Sequence, residues 1–434
     1  MQVILTAWRK TGELDLEAVE MAMRGAMHRA GAAALGQVLS LDHPPAQRVP
    51  CGCGGEARWH SSRRKKLQTA LGPVEFRRAY YLCPECHHGQ SPRDRQLDVE
   101  AAECSPGVRR MSALVGSQSS FQEGREQLAL LAGLEVTAKS VERQAEAIGA
   151  DVEARAQEQI QCAKQLELPT VCTPTVPILY VEMDGTGVPM VKAETAGRAG
   201  KIEGQPAHTR EAKLGCVFTQ TSADPEGRPV RDPDSTTYVG AIETAEEFGL
   251  RLYTEAWRRG WSQASKKVVL GDGALWIWNL ADQHFPGAIQ IVDLYHARQH
   301  LWELSAKLFP QDAMARKRWM ARGLKQLDQG KVEALVKTLR AIVSGHEELA
   351  RLVRNEADYF ARNAQRMRYP AFRLQGLFVG SGVIEAACKT VIAARLKRSG
   401  MFWTLRGANA ILALRCSRLS RRFDDYWESR SCAA

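Results

Sequence analysis

The chain has 434 residues, of which 44% are hydrophobic and 25% are charged, and its formal net charge is +10. These values are typical of a soluble globular protein with about two to four domains, and the excess of positive charge favours a polyanionic partner. No apolar run approaches the roughly 18 residues that a membrane span needs, and the opening MQVILTAWRK lacks the basic segment and cleavage site of a secretory signal. We therefore expect no membrane partner and a cytoplasmic location, in which the eleven cysteines are thiols or metal ligands.

The first 47 residues are predicted to be helical. Leu16, Val19, Met23 and Met27 are spaced so that they share one apolar face of a helix, and Pro44 and Pro45 end it. We assign residues 1–47 to an N-terminal helical segment.

Residues 48–100 are predicted to form a zinc-ribbon-like module. Two short cysteine pairs flank a segment, PVEFRRAYYLC, whose residues alternate as in a β-hairpin. Four thiolates on two such knuckles can close a tetrahedral zinc site, and the predicted ligands are Cys51, Cys53, Cys83 and Cys86. The nearby histidines are interpreted as surface residues. The module also carries a basic run that is either a solvated face or a nucleic-acid contact: Arg63, Arg64, Lys65 and Lys66.

Residues 104–166 are predicted to form a helical region with the outline of a helix-turn-helix. The segment 120–149 indicates a helix, a short glycine-containing turn and a second helix with Thr137 as its N-cap. The second helix would present Lys139, Arg143 and Gln144 to DNA, although many helical hairpins share this pattern. The proline-rich stretch Leu168–Pro177 is predicted to be a linker.

A ribonuclease-H-like α/β core is predicted over residues 175–300. Its opening strand, Ile178–Glu182 in the stretch ILYVEMDGTGVP, ends at Asp184, after which Gly185 and Gly187 allow a tight turn. Two further strands, a helix, a strand, a helix and a last strand follow. In that order the first and fourth strands are neighbours, so Asp184 would lie close to Asp272, which follows the fourth strand.

A third carboxylate follows a charged helical insertion predicted at residues 301–375. Glu385 lies at the start of a helix after a Gly-Ser-Gly turn, in a segment that completes the core over residues 376–425. Glu385 and Lys389 share a helix face, which alone would indicate only a surface ion pair. Together with two strand-end aspartates, Glu385 fits better as a ligand of two Mg²⁺ ions, which take oxygen ligands and serve phosphoryl transfer.

The motifs DGTGVP, GDGA, DLYHARQH and GSGVIEAACK together resemble the bacterial insertion-sequence transposases of the ISKra type, relatives of the Mutator-like DDE enzymes. The resemblance covers most of the chain, and it implies that Asp184, Asp272 and Glu385 are the catalytic DDE triad. It also implies that Asp293 and His296 orient the metal ligands or position the substrate, although His296 could equally be a structural residue next to His300. We predict the same role for Lys389.

The segment after Glu385 is strongly basic and contains interleaved aromatic residues. Of the two basic segments, this one is the better candidate for binding DNA, ahead of the run in the zinc-ribbon-like module. Its predicted DNA contacts are Arg395, Lys397, Arg398, Trp403 and Arg406. Packing of the closing helix is the alternative explanation for the aromatic residues.

The sequence therefore predicts a DDE transposase that cleaves insertion-sequence ends and transfers strands into target DNA. Its expected partners are double-stranded DNA of transposon ends and target, and further copies of itself in a homodimer or larger assembly on DNA at the nucleoid. The alternatives are a structure-specific nuclease of the same fold and a non-catalytic, domesticated transposase that only binds DNA.

Overall fold

The computed structural model describes residues 9–10, 13–40, 45–168, 175–200 and 205–430. Its strands are β1 (Arg9–Lys10), β2 (Glu13–Leu14), β3 (Arg48–Pro50), β4 (Glu56–Thr69), β5 (Gly72–Leu82), β6 (Gly89–Gln90), β7 (Ile178–Pro189), β8 (Thr209–Gln220), β9 (Ser222–Ala223), β10 (Pro229–Val230), β11 (Thr237–Ala241), β12 (Lys266–Gly271) and β13 (Ile289–Val292). Most of the predicted linker, residues 169–174, lies outside the described part of the chain.

The α-helices are α1 (Leu16–Ser40), α2 (Pro92–Gln96), α3 (Pro106–Gln118), α4 (Phe121–Ala132), α5 (Ala138–Lys164), α6 (Lys192–Thr195), α7 (Ala245–Arg258), α8 (Leu275–His284), α9 (Leu294–Leu308), α10 (Ala313–Asp328), α11 (Val332–Arg340), α12 (Glu347–Arg362), α13 (Tyr369–Leu374), α14 (Gly382–Ala387), α15 (Ala394–Leu396), α16 (Leu405–Leu419) and α17 (Phe423–Ser429). A π-helical turn, Cys388–Ala393, joins α14 to α15. The chain divides into two compact units, Met1–Gly149 with Phe423–Ala434, and Ala150–Arg422.

The first unit contains an antiparallel sheet built around one long hairpin. Strands β4 and β5 pair from Arg58↔Leu82 to Thr69↔Gly72, and the short strands β3 and β6 extend the sheet on either side. Gly72 has φ +112, which a side chain would disfavour, and this conformation lets the hairpin close tightly. Each cysteine pair lies where one of the two outer strands meets the hairpin, so both pairs are at the same end of the sheet.

Helices α3 and α4 and the first part of α5, up to Gly149, belong to this unit, and capping residues mark where they begin or end. Ser120 and Glu123 form a capping box at the start of α4, and Gly133 ends α4 in the left-handed conformation. Thr137 accepts a hydrogen bond from Ser140 N at 3.0 Å and so caps α5, as the sequence predicted. The helices pack closely because a Cβ at Gly116 would lie 2.7 Å from the Cβ of Ala145.

The predicted apolar face of α1 is not buried within this unit. The helix contains no buried residue, and Leu16, Met23 and Met27 are each more than half exposed. The helix packs along β5 through small residues instead, since Gly31 faces Leu71 and Gly36 faces Val74.

The second unit is an α/β layer around a five-stranded mixed sheet in the order β11-β8-β7-β12-β13. Strands β11, β8 and β7 are antiparallel neighbours, whereas β12 runs parallel to both β7 and β13. The first and fourth strands of this unit are therefore adjacent, as expected from the sequence. Long apolar runs in β7, β8 and β12 are buried because helices cover the sheet.

Helices surround this sheet and follow its last strand. Thr244 and Glu247 form a capping box that starts α7, and this helix packs against β8 and β11. The segment predicted as a helical insertion contains α10, α11, α12 and α13 with no strand among its residues, all of which the structure describes. Helix α16 packs against β11. No described helix is long and apolar enough to cross a membrane.

Candidate active site and zinc-ligand cluster

Asp184 and Asp272 lie at the same level on adjacent parallel strands. The prediction that the first strand ends near Asp184 is wrong, because β7 continues to Pro189 and stays paired with β8, whereas Asp272 directly follows β12. The last register pair of β7 and β12 is Glu182↔Leu270, and each aspartate follows its strand's member of that pair by two residues. Gly185 N donates to Asp184 Oδ1 at 2.6 Å, and Ala274 N donates to Asp272 Oδ1 at 2.9 Å. Both carboxylates are half-buried, and these hydrogen bonds fix their orientation at the rim of the sheet.

The pKa of Asp184 is raised, chiefly by burial of its carboxylate. The negative charge of Asp272 raises this pKa further, whereas hydrogen bonds from Gly185 N and the Cys388 thiol and the nearby His296 lower it. Because the charge of Asp272 acts on Asp184 in this way, the negative charge at this rim favours a bound cation.

Glu385 lies on α14, and this helix is attached to the strand of Asp184. The Cys388 thiol is 3.4 Å from Asp184 Oδ2, and Ile384 N donates to the buried carboxyl of Glu182 at 2.9 Å. Glu385 itself is exposed. The π-helical turn that begins at Cys388 places the thiol against Asp184, and such turns are frequent at functional sites.

Asp293 is completely buried and connects α9 to the turn before α14. Its Oδ1 accepts from His296 N at 2.7 Å and so caps α9. Its Oδ2 accepts from both the backbone N–H and the hydroxyl of Ser381, the hydroxyl at 2.6 Å. The Ser381 hydroxyl also lies 3.4 Å from Glu385 Oε1, so Asp293 orients the turn that presents Glu385.

The loop at Asp272 is held by the helical segment that follows the sheet. The hydroxyl of Tyr359, on α12, donates to the carbonyl of Asp272 at 2.9 Å. Gly273 has φ +100, and a Cβ there would lie 2.7 Å from the Tyr359 ring. His300 stacks on Tyr359 at 4.0 Å between ring centroids and bonds Glu356 at 2.8 Å, and the His296 ring lies 5.1 Å from His300. Tyr359 therefore fixes the backbone of one candidate ligand.

The donor chemistry of these three acids suits Mg²⁺. Asp184, Asp272 and Glu385 supply only oxygen, which hard divalent cations prefer. Asp272 Oδ1 is used by Ala274 N, which leaves Oδ2 for a cation. The ligand atoms of the three acids do not all lie within 4.8 Å of one another, however, and among the described residues only the four cysteines of the hairpin module form such a group.

Those four cysteines could bind one zinc ion. The Sγ atoms of Cys51 and Cys86 are 3.5 Å apart, and those of Cys53 and Cys83 are 3.7 Å apart. A tetrahedral site with Zn–S bonds of about 2.3 Å requires sulfur atoms about 3.8 Å apart, close to these distances. Backbone N–H groups of Cys86 and Glu85 outweigh burial and lower the pKa of Cys83 to about 7. The backbone N–H of His88 lowers the pKa of Cys86, but hydrogen bonds with Cys53 and Cys51 outweigh it and raise this pKa to about 12. The convergence of the four sulfur atoms therefore carries the zinc assignment, and the pKa values do not.

Three predicted DNA contacts are wrong because their side chains are used inside the fold. Lys65 is mostly buried, and its ammonium donates to Asp94 at 3.4 Å and to the backbone carbonyls of Val99 and Glu100. Arg395 is 1% exposed and lies 4.9 Å from the centroid of the Trp403 ring. Trp403 is itself buried and donates to the carbonyl of Leu396 at 3.0 Å.

Other predicted contacts lie on the surface. Lys397 is exposed and donates to Thr186 Oγ1 at 3.0 Å, two residues after Asp184. Gln144 is partly exposed. The guanidinium of Arg63 lies 3.3 Å from the centroid of the Tyr80 ring. Arg64 and Lys66 pair with Glu75, and Lys139 pairs with Glu142. These four cations are exposed, and so are Arg143, Lys389, Arg398 and Arg406.

The sequence analysis missed four polar residues of this site: Glu182, Tyr359, Ser381 and Cys388. Only Glu182 had a usable signal, because it is a charged residue on the Asp184 face of an otherwise apolar strand.

Comparison with known proteins finds no matching family model and no matching curated protein. Among solved structures, the chain is similar to one in the Drosophila P element transposase strand transfer complex. The two share 9% sequence identity over 79% of this chain and 84% of the other, with a TM-score of 0.27. A score this low establishes neither a shared fold nor a shared function.

Proposed function

We propose that the chain is a Mg²⁺-dependent DDE transposase that cleaves insertion-sequence ends and transfers the freed strand into target DNA. The observation that carries this proposal is the position of Asp184 on β7 at the level of Asp272, which follows the adjacent parallel strand β12, with the helix of Glu385 joined to Asp184 through Cys388. The strand order, in which the first strand pairs with both the second and the fourth, supports a ribonuclease-H-like core.

Asp184, Asp272 and Glu385 would hold the metal. When bound, two Mg²⁺ ions activate an attacking oxygen and stabilise the leaving oxygen of a phosphodiester. The other residues of the site act on geometry and charge: Asp293 and Ser381 orient the turn before Glu385, and Tyr359 fixes the loop of Asp272. Lys397, beside Thr186 at the same rim, would neutralise a phosphate of the bound strand.

The direct test is cleavage and strand transfer on DNA taken from the flanks of the gene, with purified protein and Mg²⁺. Asp184→Asn, Asp272→Asn and Glu385→Gln should each abolish cleavage and leave DNA binding nearly unchanged. Glu303→Gln, the same change at an exposed glutamate of α9, should retain full cleavage. Cleavage without strand transfer would indicate a nuclease, and binding without cleavage by the unmodified protein would indicate a non-catalytic DNA-binding protein.

The hairpin module is proposed to bind one structural zinc ion and to contribute with α5 to recognition of the transposon ends. A homodimer or larger assembly would bring two ends together. Metal analysis of protein purified under reducing conditions should give one zinc per chain. Cys83→Ser should lose the zinc, whereas Cys162→Ser, outside the cluster, should keep it. Zinc-free wild-type protein would contradict the assignment.

A further inference from the structure

One face of β7 makes an ordered series of polar contacts with the segment that carries Glu385. Alternate residues of a strand share a face, and here four consecutive residues of one face each contact the segment 378–397. The contacts run in the same order along both segments: Tyr180 Oη with Phe378 N at 3.3 Å, Glu182 Oε2 with Ile384 N at 2.9 Å, Asp184 Oδ2 with Cys388 Sγ at 3.4 Å, and Thr186 Oγ1 with Lys397 Nζ at 3.0 Å.

Glu182 is the unusual member of this series. It is 0% exposed, in a strand that pairs on both sides, and its two hydrogen-bond contacts are the Ile384 N–H and, at 3.9 Å, the Cys216 thiol. A carboxyl group in such a place costs free energy compared with an apolar side chain, because it is removed from water. What the carboxyl supplies in return is an acceptor for one backbone N–H.

That N–H belongs to the first turn of α14. The first N–H groups of a helix have no partner inside the helix and are commonly satisfied by the side chain of the N-cap residue. The N-cap here is Ser381, whose hydroxyl is bonded to Asp293 and does not cap the helix. Glu182 provides the missing acceptor from the neighbouring strand.

We infer that Glu182 is a positioning residue: its buried carboxyl oxygen holds the first turn of α14 against β7 and so sets where Glu385 stands relative to Asp184. Ile384 immediately precedes Glu385, and the hydrogen bond therefore restrains the rotation of α14 next to Glu385. The consequence for metal binding rests on the proposed function, whereas the contact between Glu182 and Ile384 does not.

The test compares three variants of the full chain. Glu182→Gln keeps a side-chain oxygen that can accept from Ile384 N, and Glu182→Leu removes it. Val181→Ala, on the opposite face of the same strand and equally buried, is the control for loss of stability. Hydrogen exchange at Ile384, resolved by overlapping peptides, should quicken at least about tenfold in Glu182→Leu, as expected for loss of one hydrogen bond, and should stay near wild type in the other two.

The second measurement is the Mg²⁺ concentration that gives half-maximal DNA cleavage. It should rise about tenfold or more in Glu182→Leu and change little in Glu182→Gln and Val181→Ala, while DNA binding without metal is equal in all. Unchanged exchange and unchanged Mg²⁺ dependence in Glu182→Leu would overturn the inference, and so would equal changes in a Val181→Ala protein of similar melting temperature.

If Glu182→Leu does not fold, Glu182→Asp replaces it, since the shorter side chain withdraws the oxygen from Ile384 but keeps the acid. If the wild-type protein cleaves no DNA, the proposed function fails, and the exchange measurement still decides whether Glu182 holds α14.

Discussion

The hydrogen bond between Ser381 and Asp293 should be energetically coupled to the site, and Ser381→Ala is the perturbation that tests it. Both side chains are buried, at 4% and 0% exposure, and the hydroxyl donates to the carboxylate at 2.6 Å. A hydrogen bond to a charged group contributes about 1.5–3 kcal/mol, so Ser381→Ala should lower the free energy of unfolding by that amount.

The bond can be isolated by a double-mutant cycle with Asp293→Asn. In that variant an amide NH₂ can take the place of the oxygen that accepts from Ser381, so the charge-assisted bond is already absent. Ser381→Ala should then cost less than about 1 kcal/mol, and the coupling energy should be at least about 1 kcal/mol.

Urea denaturation gives these free energies if the transition of the second unit is resolved, because two compact units need not unfold together. Ser381→Ala should also reduce Mg²⁺-dependent cleavage, since the hydroxyl lies 3.4 Å from Glu385 Oε1. Additive effects of the two substitutions on stability would refute the coupling.

Three further outcomes are expected. Tyr359→Phe removes the donor to the carbonyl of Asp272, and we expect cleavage to fall about tenfold and stability by about 1 kcal/mol, with DNA binding in gel shifts unchanged. Burial alone would raise the pKa of Glu255, but hydrogen bonds from Arg422 and Thr237 outweigh burial and lower this pKa. The Glu255 carboxylate therefore stabilises the fold above the unfolded-state pKa of about 4.3, and this stabilisation is lost as the pH falls through the folded-state pKa. Glu255→Gln, measured by urea denaturation at pH 7 and at acid pH, should therefore cost about 3–5 kcal/mol at pH 7 and weaken the acid dependence, and an unchanged midpoint at pH 7 would contradict this. Lys397→Ala should weaken binding to all DNA sequences and reduce the slope of log affinity against log salt by about one. Arg395→Ala, at a buried residue, should instead lower the melting temperature and leave that slope unchanged. An equal loss of salt dependence in the two variants would contradict the distinction between buried and exposed cations.

Much of the second unit could be predicted because its signals are local. The helix predicted after the third strand is observed at Ala245–Arg258 with Thr244 as its cap, and the strand predicted after that helix is β12. Caps, turns and strand periodicity depend on a few neighbouring residues, so they can be recognised in one sequence. The strand order then placed Asp184 beside the strand of Asp272.

Contacts between distant residues could not be predicted in this way. Glu182 and Ile384 are 202 positions apart, and no spacing in the sequence pairs them. The same holds for Tyr359 and the carbonyl of Asp272, 87 positions apart, which join the helical segment to the rim of the sheet. These hydrogen bonds exist only once the sheet and helices have assembled.

The basic tail shows why residue type alone is a poor guide to a DNA surface. Arg395 and Arg415 lie inside the fold, the first over the Trp403 ring and the second bonded to the carbonyls of Thr390 and Val391, while Lys397 remains exposed. The planar guanidinium of arginine can stack on an aromatic ring and bond several carbonyls at once, whereas an isolated lysine ammonium is strongly hydrated. A sequence count of positive charge therefore includes residues that stabilise the segment carrying Glu385 as well as residues that can reach DNA. If the proposed function is correct, the buried arginines affect cleavage through the position of Glu385, and only the exposed cations affect the dependence of binding on salt.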